Sequence, residues 1–423
     1  MRAQRAVFLL ACAGLVAMGA LSACASLVGV EDVRLRRDSG TADVRQEAQE
    51  PDEGGPGDTG PRPQENLLEV ALGLSHTCAR KPDLSVKCWG DDRSGQLGTG
   101  GMSDGGVTAP KAVAISDAIR IAAGKNHTCV VRTGGTISCW GDNQDGQLGN
   151  GKTNARSLVP EDVLGITDAV AIACGAAFSC AVRANGSVSC WGSGLAGQLG
   201  NGARQVQPNP VAVTNLDRVV TISAGESHAC AARADGTLLC WGDGFDGQLG
   251  NGDQKDRLTP TPVTALDSVA IVAAAARSTC AVKTSGAVFC WGENSLGQLG
   301  SGAANPTPNP APTVVSNLDA IALWAGTDHA CAVRRTGAVA CWGAGSFGQI
   351  GDGQSRADAT TPTASPSGVQ GVTSALKVGT GGNHSCATTT NAILCWGEND
   401  RGQLGNGTAG APLLSPESVV GYP

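Results

Sequence analysis

Short runs of alternating apolar and polar residues recur along most of the chain, three to a group. Around residue 220, Val219-Val-Thr-Ile-Ser-Ala alternates apolar with polar. His228-Ala-Cys-Ala-Ala-Arg forms a second run and Thr237-Leu-Leu-Cys-Trp-Gly a third. A period of two over five or six residues is the signature of a strand with unlike faces. Between the second and third runs sits Ala234-Asp235-Gly236, a hairpin turn with a glycine free to take positive φ. A polar loop follows, then a fourth segment of the type Pro210-Val-Ala-Val. Four antiparallel strands in about 50 residues is the size of one propeller blade.

The group is repeated seven times. Cys-Trp-Gly begins at Cys88, Cys139, Cys190, Cys240, Cys290, Cys341 and Cys395, and Gly-Gln-Leu/Ile-Gly starts six residues after each tryptophan. Fixed internal spacing over seven copies predicts an all-β, seven-bladed β-propeller with four-stranded blades over residues 67–423. The first strand, Leu67–Leu72, has no Pro-Val segment before it, whereas one lies beyond the seventh Cys-Trp-Gly. Leu414–Val420 is therefore expected to return and complete the first blade, closing the ring with the C-terminal strand and removing exposed sheet edges.

The pattern G-x-x-H-x-C-A-V-x-x-x-G-x-V-x-C-W-G-x-x-x-x-G-Q-L-G resembles the regulator of chromosome condensation repeat family. The resemblance covers residues 67–423 and implies the same ring. It does not choose a function, because members use one ring for nuclear guanine-nucleotide exchange, ultraviolet-B perception or β-lactamase inhibition.

The ends of the chain change the picture. Met-Arg-Ala-Gln-Arg is a short basic segment, and Ala6–Ala20 is an apolar run too short for a comfortable membrane span. Leu21-Ser22-Ala23-Cys24 resembles a bacterial lipobox, so residues 1–23 are expected to be a lipoprotein signal peptide and Cys24 the lipidated, palmitate-bearing N-terminus. Ala25 in the next position resembles outer-membrane sorting. The expected location is the cell envelope, on the outer membrane's periplasmic or surface face. Residues 24–66 carry few apolar residues and many charges, Gly and Pro, which marks a tether. Loss of Arg2 and Arg5 with the signal leaves 28 basic against 37 acidic residues, net −9, with no basic cluster of the kind nucleic acid requires.

Export also decides the chemistry of the cysteines, which number 17. In the fourth copy a three-residue loop at Ala234–Gly236 places Cys230 directly across from Cys240. The same count pairs Cys78 with Cys88, Cys129 with Cys139, Cys180 with Cys190, Cys280 with Cys290 and Cys331 with Cys341. In the seventh copy the loop shrinks by one, yet Cys386 still faces Cys395. Within-hairpin disulfides follow, in preference to a row of His-x-Cys metal sites, and no metal or other cofactor is expected. His76, His127, His228, His329 and His384 precede the first cysteine of their copies, while Phe178 and Ser278 replace them in the third and fifth. Such histidines read as scaffold hydrogen-bonding groups. Cys174 has no partner in this scheme and reads as a buried free thiol.

Trp324 breaks the repeat. Its equivalents are Ala71, Ala122, Ala173, Ser223, Ala273 and Gly379. It either fills a gap between blades or projects into the central opening as the candidate ligand-facing residue. Acidic residues before Gly-Gln-Leu-Gly, such as Asp142, Asp145, Asp243, Asp246, Glu398 and Asp400, lack the alternating oxygen set of a calcium loop and read as turn formers. No G-x-S-x-G, Walker A or HExxH motif occurs, so no catalytic residue is assigned and no enzyme is expected. The leading expectation is a lipid-anchored scaffold that binds a protein or other surface ligand through loops that vary between copies. A lyase or hydrolase working in the channel, or a purely structural envelope protein, are the alternatives.

Overall fold

A computed structural model describes residues 67–153, 156–356 and 362–422. Cys24, the signal peptide and the tether lie outside the described residues. Within them every regular element is a strand.

The first unit shows how one copy folds. Glu69–Leu72 pairs with His76–Arg80, which pairs with Val86–Gly90, which pairs with Val107–Ala112, all antiparallel. The second to fourth and the seventh copies repeat this meander as separate four-stranded sheets. The fifth and sixth copies are joined into one seven-stranded sheet by a single long strand, Asn305–Ala325. Its first half pairs with Ala287–Asn294 and its last residues with His329–Arg334. Elsewhere a turn separates these two roles.

The hairpin that carries the cysteines has the expected register. Cys230 lies opposite Cys240 and Cys386 opposite Cys395. Gly236 takes φ +80° in the fourth turn, a conformation that costs a side-chain-bearing residue energy. Seven disulfides join Cys78–Cys88, Cys129–Cys139, Cys180–Cys190, Cys230–Cys240, Cys280–Cys290, Cys331–Cys341 and Cys386–Cys395, with Cα separations of 4.0–4.1 Å. Such closeness belongs to the tight, non-hydrogen-bonded position of an antiparallel pair.

The C-terminal strand does not complete the first sheet. Gly410–Ser418 pairs with Ile393–Asn399 and finishes the seventh unit, while the first unit is finished by its own Val107–Ala112. The reason is one of phase. Each unit begins with its first strand and ends with its Pro-containing strand, so the sequence repeat and the sheet share their boundaries. No strand has to be borrowed.

Neighbouring units meet along seams built from the repeated motif. Trp140 Nε1 donates to the carbonyl of Gln96 in the unit before it, at 2.9 Å. The same bond joins Trp191 to Gln147, Trp241 to Gln198, Trp291 to Gln248, Trp342 to Gln298 and Trp396 to Gln349. Trp89 of the first unit donates to Gln403 of the last, at 3.0 Å. The final glycine of Gly-Gln-Leu-Gly lies against that indole: a Cβ on Gly98 would stand 2.6 Å from Trp140 Cδ1. All seven repeat tryptophans are fully buried. Each gains the apolar burial of a large ring together with a partner for its N–H.

Candidate functional site

The histidines belong to the same seams. His76 Nε2 lies 3.0 Å from the Thr128 hydroxyl of the next unit, and His127 lies 2.9 Å from Ser179. His228–Thr279, His329–Ser385 and His384–Thr77 repeat the contact at 2.8 Å. Each hydroxyl also donates to the glutamine carbonyl that the tryptophan uses, for example Thr279 to Gln248 at 2.8 Å. The hydroxyl proton is thereby committed, so the imidazole is the donor to the hydroxyl and carries its proton on Nε2. Nδ1 of all five rings is buried without a hydrogen-bond partner. A proton added there would leave a buried, unpaired charge. Burial accordingly pushes His76 down to about 4 and His127, His228, His329 and His384 down to about 3. At neutral pH these rings are uncharged fixtures, unsuited to proton transfer.

The two exceptional copies follow the same logic. Where Phe178 replaces histidine, the facing residue of the next unit is Ala229, and where Ser278 replaces it, the facing residue is Ala330. Hydroxyl and imidazole are present together or absent together. The floor under the ring changes as well. A Cβ on Gly225 would stand 2.5 Å from His228 Cε1, and one on Gly175 only 2.1 Å from Phe178 Cε1. In the fifth unit, with small Ser278, that position is Ala275.

With the repeated residues sealed into seams, two regions stand out among the described residues. The first is a cavity of about 310 Å³ lined by the first strand of every unit. Its wall is mostly Ala, Val and Ile. Trp324 lines it and is 41% exposed, whereas its equivalents are small. Three charged residues, Glu69, Arg120 and Lys377, also line it. They occupy one register position in the first, second and seventh units, opposite Arg80, Val131 and Thr388 respectively. Glu69 is engaged by buried Arg80 at 3.2 Å.

The second region is the end of the molecule where the first and second strands are joined and where the turns before Gly-Gln-Leu-Gly lie. Large apolar side chains stand exposed in those turns: Leu195 at 61%, Phe245 at 75% and Phe347 at 40%. Acidic groups lie in the same turns, Asp243 accepting from the Phe245 amide, while at Leu195 the carbonyl accepts from Arg204. Arg277 lies 3.9 Å from both Glu226 and Asp246, and burial together with Glu293 raises Asp328. Asp142 and Asp243 accept from the backbone N–H two residues on, as turn formers do. Attention to the loops after Gly-Gln-Leu-Gly overlooked these apolar side chains. The available signal was a phenylalanine or leucine inside an otherwise polar turn. Of the later loops, residues 154–155 and 357–361 lie outside the described residues.

Among the described residues, one group has the composition of a metal site. His127, Cys129 and Cys174 bring their ligand atoms within 4.8 Å of one another. Cys129 is committed to Cys139, and His127 Nε2 to Ser179. A closed metal site needs about four free ligands, which this trio does not offer. Cys174 is a buried free thiol, and burial pushes it up to about 12.

Comparison with known proteins gives these seams a context. Residues 29–322 match the family model of the RCC1-like domain, and residues 321–349 and 376–403 match the regulator of chromosome condensation (RCC1) repeat. The ultraviolet-B receptor UVR8 of Arabidopsis thaliana is 36% identical over 156 residues, 35% of this chain and 34% of the receptor. The probable E3 ubiquitin-protein ligase HERC4 of Rattus norvegicus is 34% identical over 36% of this chain and 14% of the ligase. The chain thus spans about a third or less of these relatives. Among solved structures, human WBSCR16 superposes with a TM-score of 0.71 at 23% identity, over 80% of this chain and 96% of that one. Prp20p of Saccharomyces cerevisiae superposes with a TM-score of 0.70 at 21% identity, over 84% and 88%. At that identity the likeness is one of fold, a β-propeller.

Proposed function

The chain belongs to the RCC1-like domain family, and from that premise we propose that it is a protein-binding scaffold held at the cell envelope by lipid on Cys24. The scaffold is a closed, seven-bladed propeller over residues 67–423, carried on the 24–66 tether. Closure is supported by the bond from Trp89 to Gln403, which repeats at the first and last units the bond made at every other seam. The lipobox-like Leu21-Ser22-Ala23-Cys24 supports the anchor.

The observation that carries the reading is the exposure of Leu195, Phe245 and Phe347 at one end of the ring, while the repeated Trp, His and Cys residues are buried. Large apolar residues in a polar rim are the anchors that protein interfaces use. The acidic groups in the turn of Phe245 favour a partner surface with a basic residue beside an apolar pocket. Prp20p, of the same fold, is described with binding to Gsp1p and histones. Photo-crosslinking in envelope preparations, comparing the full chain with Leu195→Ser/Phe245→Ser, tests the reading. Loss of the crosslinked species, with the disulfide map unchanged, is expected. An identical set of crosslinks from both proteins would sink it. Cys24→Ser should move the chain from the membrane to the soluble fraction.

A further inference from the structure

We propose that the axial cavity is a binding site for a small aromatic carboxylate, with Trp324 as the stacking surface and Arg120 and Lys377 as its anion-binding groups. Trp324 occupies a crowded position on the first strand of its unit. Small residues fill it in the other six units because the next unit's first strand lies against it. In the seventh unit a Cβ on Gly379 would stand 2.7 Å from Leu72 Cδ1 and 3.3 Å from Val70 Cγ2. An indole has no room between two such strands, and in the sixth unit it turns into the cavity, 41% exposed. The cavity, at about 310 Å³, is at the small end of the range of roughly 300–1,000 Å³ that ligand sites occupy.

The charges are placed on one side. Lys377, Glu69 and Arg120 share one register position in the seventh, first and second units, whose first strands are neighbours. The other four units carry Ala171, Thr221, Ile271 and Ala322 there. Glu69 is held by Arg80. Among the described residues neither Arg120 nor Lys377 forms an ion pair, and Arg120 donates only to the Ile119 carbonyl at 2.7 Å. With Glu69 already paired to Arg80, the two remaining cations of the cavity favour an anion, and guanidinium and ammonium groups both bind carboxylate. Trp324 follows Ala322 by two residues, on the same side of its strand, and lies in the unit adjacent to Lys377. Flat apolar rings stack on such a surface. A ligand with a ring and a carboxylate satisfies both features; a neutral ring or a bare anion satisfies one.

Calorimetric titration of the full chain in detergent with 1-naphthoate, 1-naphthamide and acetate tests this. Binding of 1-naphthoate should be at least tenfold tighter than that of either control. Trp324→Ala, which installs the residue of Ala71 and Ala273, should weaken 1-naphthoate at least tenfold and leave the melting temperature unchanged. Arg120→Ala with Lys377→Thr should lower 1-naphthoate to the level of the amide. Tryptophan emission offers a second readout, because the seven other tryptophans are buried and Trp324 alone is open to solvent. Equal affinity for naphthoate and amide, undiminished binding by the Trp324 variant, or no binding at millimolar ligand would each overturn the proposal.

Discussion

Replacing Thr279 by alanine tests the seam most directly, because one hydroxyl there serves two partners. Its oxygen accepts from His228 Nε2 at 2.8 Å and its proton goes to the Gln248 carbonyl at 2.8 Å. Without it the carbonyl keeps Trp291 at 2.9 Å, but the imidazole N–H is left buried and unpaired. An unsatisfied buried donor costs about 1–3 kcal/mol, and the lost methyl adds about 1 kcal/mol. Thr279→Ala should therefore destabilise by about 3 kcal/mol. His228→Phe alone leaves Thr279 bonded to Gln248 and should cost about 1 kcal/mol. The double variant recreates the pair Phe178 and Ala229 that the third and fourth units use. It removes the stranded donor and should cost about 2–3 kcal/mol, less than the sum of the singles by about 1.5 kcal/mol. Urea denaturation of the oxidised protein, read as a double-mutant cycle, measures that difference. Additivity within about 0.5 kcal/mol would refute the hydrogen-bond account of the seam.

Further consequences follow from the same geometry. The five histidines sit far below 6.5, so between about pH 6.5 and 3 the unfolded chain takes up more protons than the folded one. Stability is then full above pH 6.5 and falls as pH drops below it, by about 1 kcal/mol per histidine at pH 5.5, although Asp92, pushed up to about 6, works in the opposite sense. Urea midpoints at pH 7.5, 6.5 and 5.5 check the slope, and a flat profile would contradict it. A Cβ on Gly225 would meet the Ala275 carbonyl oxygen at 2.1 Å as well as His228 Cε1 at 2.5 Å, so Gly225→Ala should destabilise the protein and His228→Ser should relieve only part of that loss; thermal melts of the three variants decide this, and full rescue by His228→Ser would contradict it. Cys174 should resist N-ethylmaleimide at pH 8 in the folded protein and react once it is unfolded, read by peptide mass spectrometry. The same maps should show bridges only within hairpins, each contributing about 3 kcal/mol through its short loop.

Much of this molecule was readable along one dimension. The seven-fold recurrence of Cys-Trp-Gly and Gly-Gln-Leu-Gly defined the unit. Counting outward from Ala234–Gly236 placed Cys230 against Cys240, because a hairpin is local and its register is set by its turn. The paired absences of imidazole and hydroxyl, Phe178 with Ala229 and Ser278 with Ala330, were also written in the sequence. They became visible only when the seam placed those residues across from one another. The expectation for Leu414–Val420 failed for a related reason: a repeat has a period but no intrinsic starting point, and strand pairing alone says which end of the unit is its edge.

Local pattern thus sufficed for strands, turns and disulfides, since each depends on contacts within about ten residues along the chain. What lies between units depends on contacts some 50 residues apart, such as His228 with Thr279 and Trp291 with Gln248, or on the approach of the first unit to the last through Trp89 and Gln403. These contacts made the histidines neutral fixtures, denied Trp324 a place between strands, and brought Lys377, Glu69 and Arg120 to one side of a shared cavity. Spacing carries no record of which strands will be neighbours around an axis. Close packing between the sheets of the seven repeat units decides that, and with it where the chain remains open to a partner.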